Sequence, residues 1–161
     1  MSNVTSGTES TRRRRQLTTE IKTSLRDLRN QLSLLNRQVG VRVDLKDVDL
    51  DCLDLISREG PLSPSAVARR AGLHPATMTG ILDRLERAGW IARDRDPDDR
   101  RAVVVRALPD RGRELFGHFA GMNAAMDDIC AGYSQSELEL LAGFLLRATG
   151  AGEQATRKLA E

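Results

Sequence analysis

The stretch of residues 61–101 constrains the fold of this chain most strongly, because its apolar residues predict two short helices joined by a tight turn. In the second helix, apolar residues recur at i, i+3, i+4 and i+7, a spacing that places them on one inward face: Met78, Ile81, Leu82 and Leu85. Pro75 suits the first helical position, and Gly89 suits a left-handed end of the helix. The opposite face begins with small or hydroxyl-bearing side chains only, so it can approach another surface closely.

The first helix is predicted over residues 64–71, with Ser63 as its N-cap and Gly72 in the turn that follows. After the second helix come two β-prone runs, residues 90–95 and 102–107, which an Asp- and Pro-rich loop separates. Helix, glycine-containing turn, helix and hairpin are the pattern of a winged helix-turn-helix, which places one helix in a DNA groove. We therefore predict a mainly α-helical fold with a small β-hairpin wing.

Two motifs in this region carry a resemblance to a known family. They are D-R-L-E-R-A-G at residues 83–89 and R-D-P-D-D-R-R at residues 95–101. Together they resemble the DNA-binding core of MarR-type transcriptional regulators, and with the flanking helices the resemblance covers residues 17–159. It implies a winged-helix homodimer that binds a palindromic operator in double-stranded DNA, typically as a repressor, and that small aromatic acids or oxidation often release.

The leading face of the second helix carries the predicted contacts to bases. Ala76, Thr77 and Thr79 can offer methyl groups to thymine, and the two threonines also offer hydroxyls to bases or phosphates. Family members often have arginine where Gly80 stands here, which favours recognition by shape and by methyl contacts in this chain. His74 precedes the helix and either binds a phosphate or caps the helix.

Arginines supply the predicted phosphate and minor-groove contacts. Arg84 and Arg87 are placed for phosphates, or else they pair along the helix with Asp83 or Glu86. In the wing, the resemblance implies that Asp99 holds the loop through an ion pair, that Arg101 enters the minor groove and that Arg100 lies near a phosphate; alternatively, the loop is only solvated. The full predicted DNA-binding set is Ser63, His74, Pro75, Ala76, Thr77, Thr79, Gly80, Arg84, Arg87, Asp99, Arg100 and Arg101.

The distribution of charge agrees with this placement. The chain carries a net charge of only +2, but residues 61–106 hold nine arginines against six acids, and residues 107–161 hold five basic residues against eight acids. Positive charge therefore concentrates where DNA would lie. Arginine supplies 22 of the 25 basic side chains, which suits minor-groove contacts, although a GC-rich coding sequence explains most of this bias.

The flanking segments predict a dimer. Apolar residues between Ile21 and Val39 step by 4, 3, 4, 3 and 4, which is a heptad seam. The natural partner of this seam is a second copy of the chain; alternatively, it packs on the C-terminal helices of its own chain. The predicted dimerisation residues are Ile21, Leu25, Leu28, Leu32, Leu35, Leu141, Phe144 and Leu145.

The predicted organisation has four parts, and no repeats occur. Residues 1–16 form a disordered basic arm, either a solvated tail or a contact to a neighbouring DNA groove. Residues 17–43 form a dimerisation helix, residues 44–108 the winged core, and residues 109–161 the C-terminal dimerisation helices. In the last part a helix runs to about Tyr133, Ser134 begins a capping box, and Gly150 to Gly152 breaks the second helix.

A ligand crevice between the winged core and the terminal helices follows mainly from the resemblance. Leu53, Trp90 and Phe119 would line it, and Arg58 would bind a carboxylate. Cys52 lies beside an apolar stripe and is most simply a buried thiol; peroxide sensors of the family carry a cysteine near the first helix, which has none here. The two cysteines and two histidines show neither metal spacing nor a disulfide framework, so we predict no metal or cofactor.

The sequence argues against several other classes. It contains no G-x-S-x-G, phosphate-binding loop or H-E-x-x-H motif, so we predict no enzyme. No apolar run approaches ~18 residues, and no signal sequence begins the chain, so we predict no membrane contact and a cytoplasmic location. Two alternatives remain, a winged domain that contacts only proteins and an architectural protein that binds any duplex.

Overall fold

The computed structural model describes residues 3–99 and 101–159 of the chain, with side chains from residue 9 onward. In order, its elements are α1 (Asn3–Val43), α2 (Asp47–Glu59), α3 (Pro64–Ala71), α4 (Pro75–Arg87), β1 (Ile91–Arg95), β2 (Val103–Ala107), α5 (Pro109–Ala131) and α6 (Gln135–Leu159). The predicted fold class, mainly α-helical with a hairpin wing, is confirmed. The chain divides into two compact units, one that ends at Leu115 and one that begins at Phe116.

The helix-turn-helix forms as its capping residues predict. The Ser63 hydroxyl accepts a hydrogen bond from the Ala66 amide at 3.2 Å, and proline occupies the first turn of both α3 and α4. Gly72 and Gly89 adopt positive φ angles of 66° and 74°. These angles lie in the left-handed region, which residues other than glycine rarely adopt. These two glycines therefore end α3 and α4 and turn the chain towards the next element.

The core lies in the first unit and centres on the inward face of α4. Met78, Ile81, Leu82 and Leu85 are all buried, as the periodicity predicted. Burial of each such side chain contributes about 1.5–3 kcal/mol relative to exposure. The remaining buried members of this cluster come from α2, α3 and the hairpin: Cys52, Leu53, Ile56, Val67, Ala68, Trp90, Ile91 and Val105.

The wing contains one pairing that the sequence did not reveal. The two strands are antiparallel, with Ile91 opposite Ala107 and Arg95 opposite Val103. On its other edge, Val105 exchanges two backbone hydrogen bonds with Leu62, with N···O distances of 3.0 and 2.8 Å. Leu62 carries no strand pattern in the sequence, yet it ties the middle of β2 to the segment before α3.

Two helices are longer than predicted. The disordered arm predicted for residues 1–16 is wrong from Asn3 onward, because α1 begins there. Glutamate, arginine and glutamine are good helix formers, and extending an existing helix avoids the cost of a new nucleus. Similarly, α6 continues through Gly150 and Gly152, because two glycines cost only about 1 kcal/mol each within a helix of favourable residues.

Extended apolar surface remains uncovered in the single chain. Of the heptad residues on α1, Ile21, Leu28 and Leu32 are each about two-fifths exposed, whereas Val39 is buried at the end of the seam. Neither α5 nor α6 has a buried residue, and Leu141 and Leu145 on α6 are exposed. Among the described residues no helix is both long and apolar enough to cross a membrane.

We predict that the variant Leu28→Asp/Leu32→Asp loses self-association. Two carboxylates in an apolar seam cost several kcal/mol, on the order of the penalty for burying unpaired charge. The matched control is Thr23→Asp/Asn30→Asp, which adds the same charges to exposed positions on the opposite face of α1. Sedimentation at micromolar concentration measures the mass. A seam variant that sediments like the control would contradict the role of this seam.

Candidate nucleic-acid interface

The leading face of α4 is open to solvent. Ala76, Thr77 and Thr79 are exposed and Gly80 is partly exposed, while Met78 between them points into the core. The Thr79 hydroxyl donates to the Pro75 carbonyl at 3.1 Å, so its oxygen keeps a free acceptor position. The structure thus brings the three predicted base-contacting residues together with Gly80 on one uncovered helical surface.

Two predicted DNA contacts serve as helix caps. His74 stands at the N-cap of α4, where its Nδ1 accepts the Ala76 amide at 3.3 Å. Of the two roles left open for this residue, capping is the one that the structure shows. Ser63 likewise uses its hydroxyl to cap α3. Both side chains orient a helix, because each satisfies an amide that has no partner within the helix.

Arg84 is committed to a buried partner rather than to a free surface. Its Nη2 and Nε atoms donate to the two carboxylate oxygens of Asp49 on α2, at 2.6 and 3.1 Å. The Asp49 side chain is only 3% exposed, and that of Arg84 is 40% exposed. The Asp49 hydrogen bond raises the pKa of the Arg84 guanidinium above its ordinary value. The alternative pairing along α4 is wrong for Arg84, because its carboxylate partner is Asp49. The phosphate contact of Arg84 stays a prediction.

Asp49 was missed by sequence reasoning, although a signal existed. It precedes Leu53 by four residues and Ile56 by seven, so it lies on the inward stripe of α2. A charged residue on an inward helical stripe needs a partner, because an unpaired buried carboxylate is costly. The sequence therefore indicated a buried ion pair at this position, but not which arginine completes it.

The remaining charges of α4 divide into paired acids and a free base. Asp83 and Glu86 both bind Arg93 of β1, so they do not pair with Arg84 or Arg87. Arg87 is exposed and has no ion-pair partner among the described residues. The guanidinium of Arg87 is therefore available to bind a phosphate. Arg95, at the end of β1, is also exposed without such a partner, and the sequence analysis overlooked it.

The wing loop is ordered by aspartates that accept backbone amides. Asp96 accepts the amide of Asp98 at 2.9 Å, and the Asp99 carboxylate accepts the amide of Arg101 at 3.0 Å. Asp99 thus holds the loop by capping a turn, and within the described residues it makes no ion pair. Arg101 is exposed at this turn. Arg100, predicted to lie near a phosphate, falls outside the described residues.

Two of the residues named for the predicted ligand crevice do not line an open surface. Leu53 and Trp90 are fully buried in the core, because both face α4 and fill the space around its apolar stripe. The exposed guanidinium of Arg58 pairs with Asp54 on its own helix at 2.8 Å. Phe119 lies on α5 in the second unit and is partly exposed.

An open cleft of about 750 Å³ lies elsewhere in the first unit, at the junction of α1, α2 and the end of α4. Its apolar lining includes Val41, Leu45 and Ala88. Lys46 and Arg87 line it without an ion-pair partner among the described residues, whereas Arg37, also in the lining, lies 3.6 Å from Asp47. The cleft therefore offers free cationic groups beside an apolar wall, and its lining also contains the carboxylates of Asp44, Asp47 and Asp49.

Cys52 is buried in the core, and burial, together with the neighbouring charges of Asp51 and Asp49, raises the pKa of its thiol to about 11. A thiol with so high a pKa forms little of the reactive thiolate near neutral pH. The interpretation of Cys52 as a packed thiol is therefore supported. The other cysteine, Cys130, is exposed on α5 and carries no disulfide.

Comparisons with known proteins agree with this geometry. The sequence model of the MarR family matches residues 45–103. An uncharacterised HTH-type transcriptional regulator of Bacillus subtilis, YcgE, is 30% identical over 134 residues, which cover 83% of this chain and 87% of YcgE. The B. subtilis transcriptional repressor YetL is 31% identical over 55% of this chain and 53% of its own.

Among solved structures, Streptococcus pneumoniae FabT, crystallised in complex with DNA, superimposes with a TM-score of 0.66. The match covers 85% of this chain and 98% of FabT at 23% sequence identity. At this identity the likeness supports the fold, including the order of the helices and the wing.

We predict that Arg84→Ala lowers the free energy of unfolding by roughly 3 kcal/mol, because it leaves the buried Asp49 carboxylate without a partner. Arg87→Ala is the matched control, since it removes an unpaired exposed arginine one turn later and is expected to change stability by less than about 0.5 kcal/mol. Denaturant unfolding at one fixed protomer concentration measures both. Equal stabilities of the two variants would show that the ion pair does not stabilise the fold.

Proposed function

The chain belongs to the MarR family of transcriptional regulators, and from this we propose that it is a homodimeric repressor that binds a palindromic operator in double-stranded DNA. The observation that carries the proposal is the leading face of α4. This face is small, exposed and free of large side chains, while the opposite face is anchored in the core. A helix held in this way can enter the major groove, which is about 12 Å wide.

The arginines around this face supply affinity. Arg87 on α4, with Arg95 and Arg101 in the wing, is exposed and not engaged by described carboxylates. Guanidinium groups bind phosphates strongly and also favour a narrow minor groove. We propose that Arg87 binds a phosphate beside the major groove and that Arg101 enters the adjacent minor groove.

A homodimer follows from the uncovered apolar seam of α1 and the uncovered faces of α5 and α6. Most oligomers of one chain type are two-fold symmetric. Two copies of α4 related by such an axis require an inverted repeat whose half-sites lie about one helical turn, or ~10 base pairs, apart. The printed name of YetL, a transcriptional repressor, supports repression as the outcome of operator binding.

We predict that selection of binding sites from a random duplex pool yields an inverted repeat with this spacing. Footprinting of the selected site is expected to show two-fold symmetric protection. Random DNA in excess at moderate salt is the control, because a specific regulator binds its operator about 10³-fold or more tightly than other sequences. Equal binding to all duplexes would indicate an architectural protein, and no binding would leave a winged domain that contacts only proteins.

We propose that a small aromatic acid controls operator binding and that it binds in the cleft at the junction of α1, α2 and α4. Val41 and Leu45 offer apolar contact, and the unpaired Lys46 offers a partner for a carboxylate. A bound acid would lie next to the ion pair between Asp49 and Arg84, which joins α2 to α4. Occupation of the cleft would therefore alter the position of α4, the helix proposed to enter the major groove and called here the recognition helix.

We predict that a phenolic acid from a small panel weakens operator binding at least about fivefold, the lower end of typical coupling between sites. Lys46→Met is expected to keep operator binding and lose this response. Lys22→Met, an exposed lysine of α1 outside the cleft, serves as the control and is expected to respond like the parent. If no acid of the panel changes operator affinity or melting temperature, this ligand class is excluded.

A further inference from the structure

We propose that Arg93 is a positioning residue that fixes the wing relative to α4, so that the recognition helix and the wing reach DNA together. This inference rests on the proposed DNA-binding function. Arg93 lies outside the predicted DNA-binding set. Its role is to fix the position of the wing relative to α4, and it does not itself contact DNA.

The Arg93 side chain lies between the wing and α4. Arg93 lies in the middle of β1, on the same face of the strand as the buried Ile91, and therefore points towards α4. Its Nη2 atom binds the Asp83 carboxylate at 2.6 Å, and its Nη1 atom binds the Glu86 carboxylate. Only 27% of the Arg93 side chain is exposed. One guanidinium thus bridges the wing to two successive acids of the recognition helix.

The bridge requires the shape of arginine. Asp83 and Glu86 are three residues apart, so their side chains project from neighbouring positions on one side of α4. A planar guanidinium presents separate N–H groups to two carboxylates at fixed angles, whereas a lysine ammonium is a single point charge on a flexible stem. The hydrogen bond that Arg93 donates to Asp83 and the nearby negative charges raise the pKa of Arg93, which agrees with tight binding of the cation.

Arg93 and its cross-strand neighbour Val105 are the outermost ties that the described residues provide between the wing and the core. Val105 holds the β2 side through its burial and its bonds to Leu62, and Arg93 holds the β1 side to α4. Beyond Arg93, β1 continues with two exposed residues, and the loop bonds only within the hairpin. Without the bridge, β1 would lose its ion pairs to α4, and the wing would be tied at this level only on its β2 side, through Val105 and Leu62.

A second wing arginine provides a matched control. Arg106 of β2 binds Asp94 of β1 at 2.5 Å, so it too forms an ion pair between arginine and carboxylate. This pair joins the two strands of the hairpin and does not reach α4. Removing it changes the charge of the wing as much as removing Arg93 does, but leaves the link between the wing and the recognition helix intact.

The test is a double-mutant cycle on the selected operator with the full-length protein, using Arg93→Gln, Arg101→Ala and their combination. In the parent protein, Arg101→Ala is expected to weaken binding and to make the slope of log affinity against log salt shallower by roughly two, one contact per protomer. In the Arg93→Gln background, the loss of operator affinity caused by Arg101→Ala is expected to be about tenfold smaller than in the parent, because a released wing no longer places Arg101 in the groove. In the Arg106→Gln background, the loss is expected to remain complete.

Two further variants separate positioning from other roles. Arg93→Lys keeps the charge but cannot bridge both acids, so it is expected to behave like Arg93→Gln, and it replaces that variant if Arg93→Gln does not fold. The triple variant Asp83→Asn/Glu86→Gln/Arg93→Gln removes the charges altogether. If the triple variant regains the full effect of Arg101→Ala, Arg93 acts by neutralising acids near DNA, and the positioning role is wrong.

The remaining outcomes are decisive. Equal losses from Arg101→Ala in the parent and in the Arg93→Gln background would overturn the positioning role while leaving operator binding intact. No effect of Arg101→Ala in the parent would show that the wing does not contact DNA, which overturns both the positioning role and the wing's part in the proposed function. Failure of the parent protein to bind any selected duplex would refute the proposed function itself.

Discussion

Burial of one face of α4 is the constraint on which the rest of the structure depends. With Met78, Ile81, Leu82 and Leu85 in the core, the face of Ala76, Thr77 and Thr79 has to point outward, because residues one or two positions from Met78 lie on another side of the helix. Gly89 then turns the chain, and the Trp90 amide bonds to the Leu85 carbonyl at 2.9 Å. The hairpin consequently starts at a fixed place beside the recognition helix.

Arginines in this region have two distinct uses that composition cannot separate. Arg84 and Arg93 are bound within the protein, one to Asp49 and the other to Asp83 and Glu86. Both pairs hold α4, the first against α2 and the second against β1. Arg87, Arg95 and Arg101 remain free among the described residues. Intramolecular pairing thus orients the helix, and the unpaired charges remain for phosphate, which gives affinity.

The uncovered apolar seam of α1 connects the fold to the proposed symmetry of binding. A protein that exposes a long row of leucine and isoleucine side chains gains free energy when a second surface covers them. Pairing through such a seam would double the number of recognition helices. Specific recognition of an inverted repeat and coverage of the apolar seam would then have the same structural cause, which is the formation of a dimer.

The sequence by itself determined the elements whose signals are local: the apolar period of α4, the cap at Ser63, the proline at the start of α4, the glycine turns and the two strands of the wing. It also determined the outward face of α4, because burial of one helical face fixes the opposite one. Only the tertiary structure decided which arginine pairs with Asp49, that Arg93 bridges two acids of α4 and that Leu62 bonds to Val105. Helix caps and apolar periods depend on neighbours within one element, whereas these contacts join residues of different elements or segments. Their partners are fixed only when the packed core brings them together.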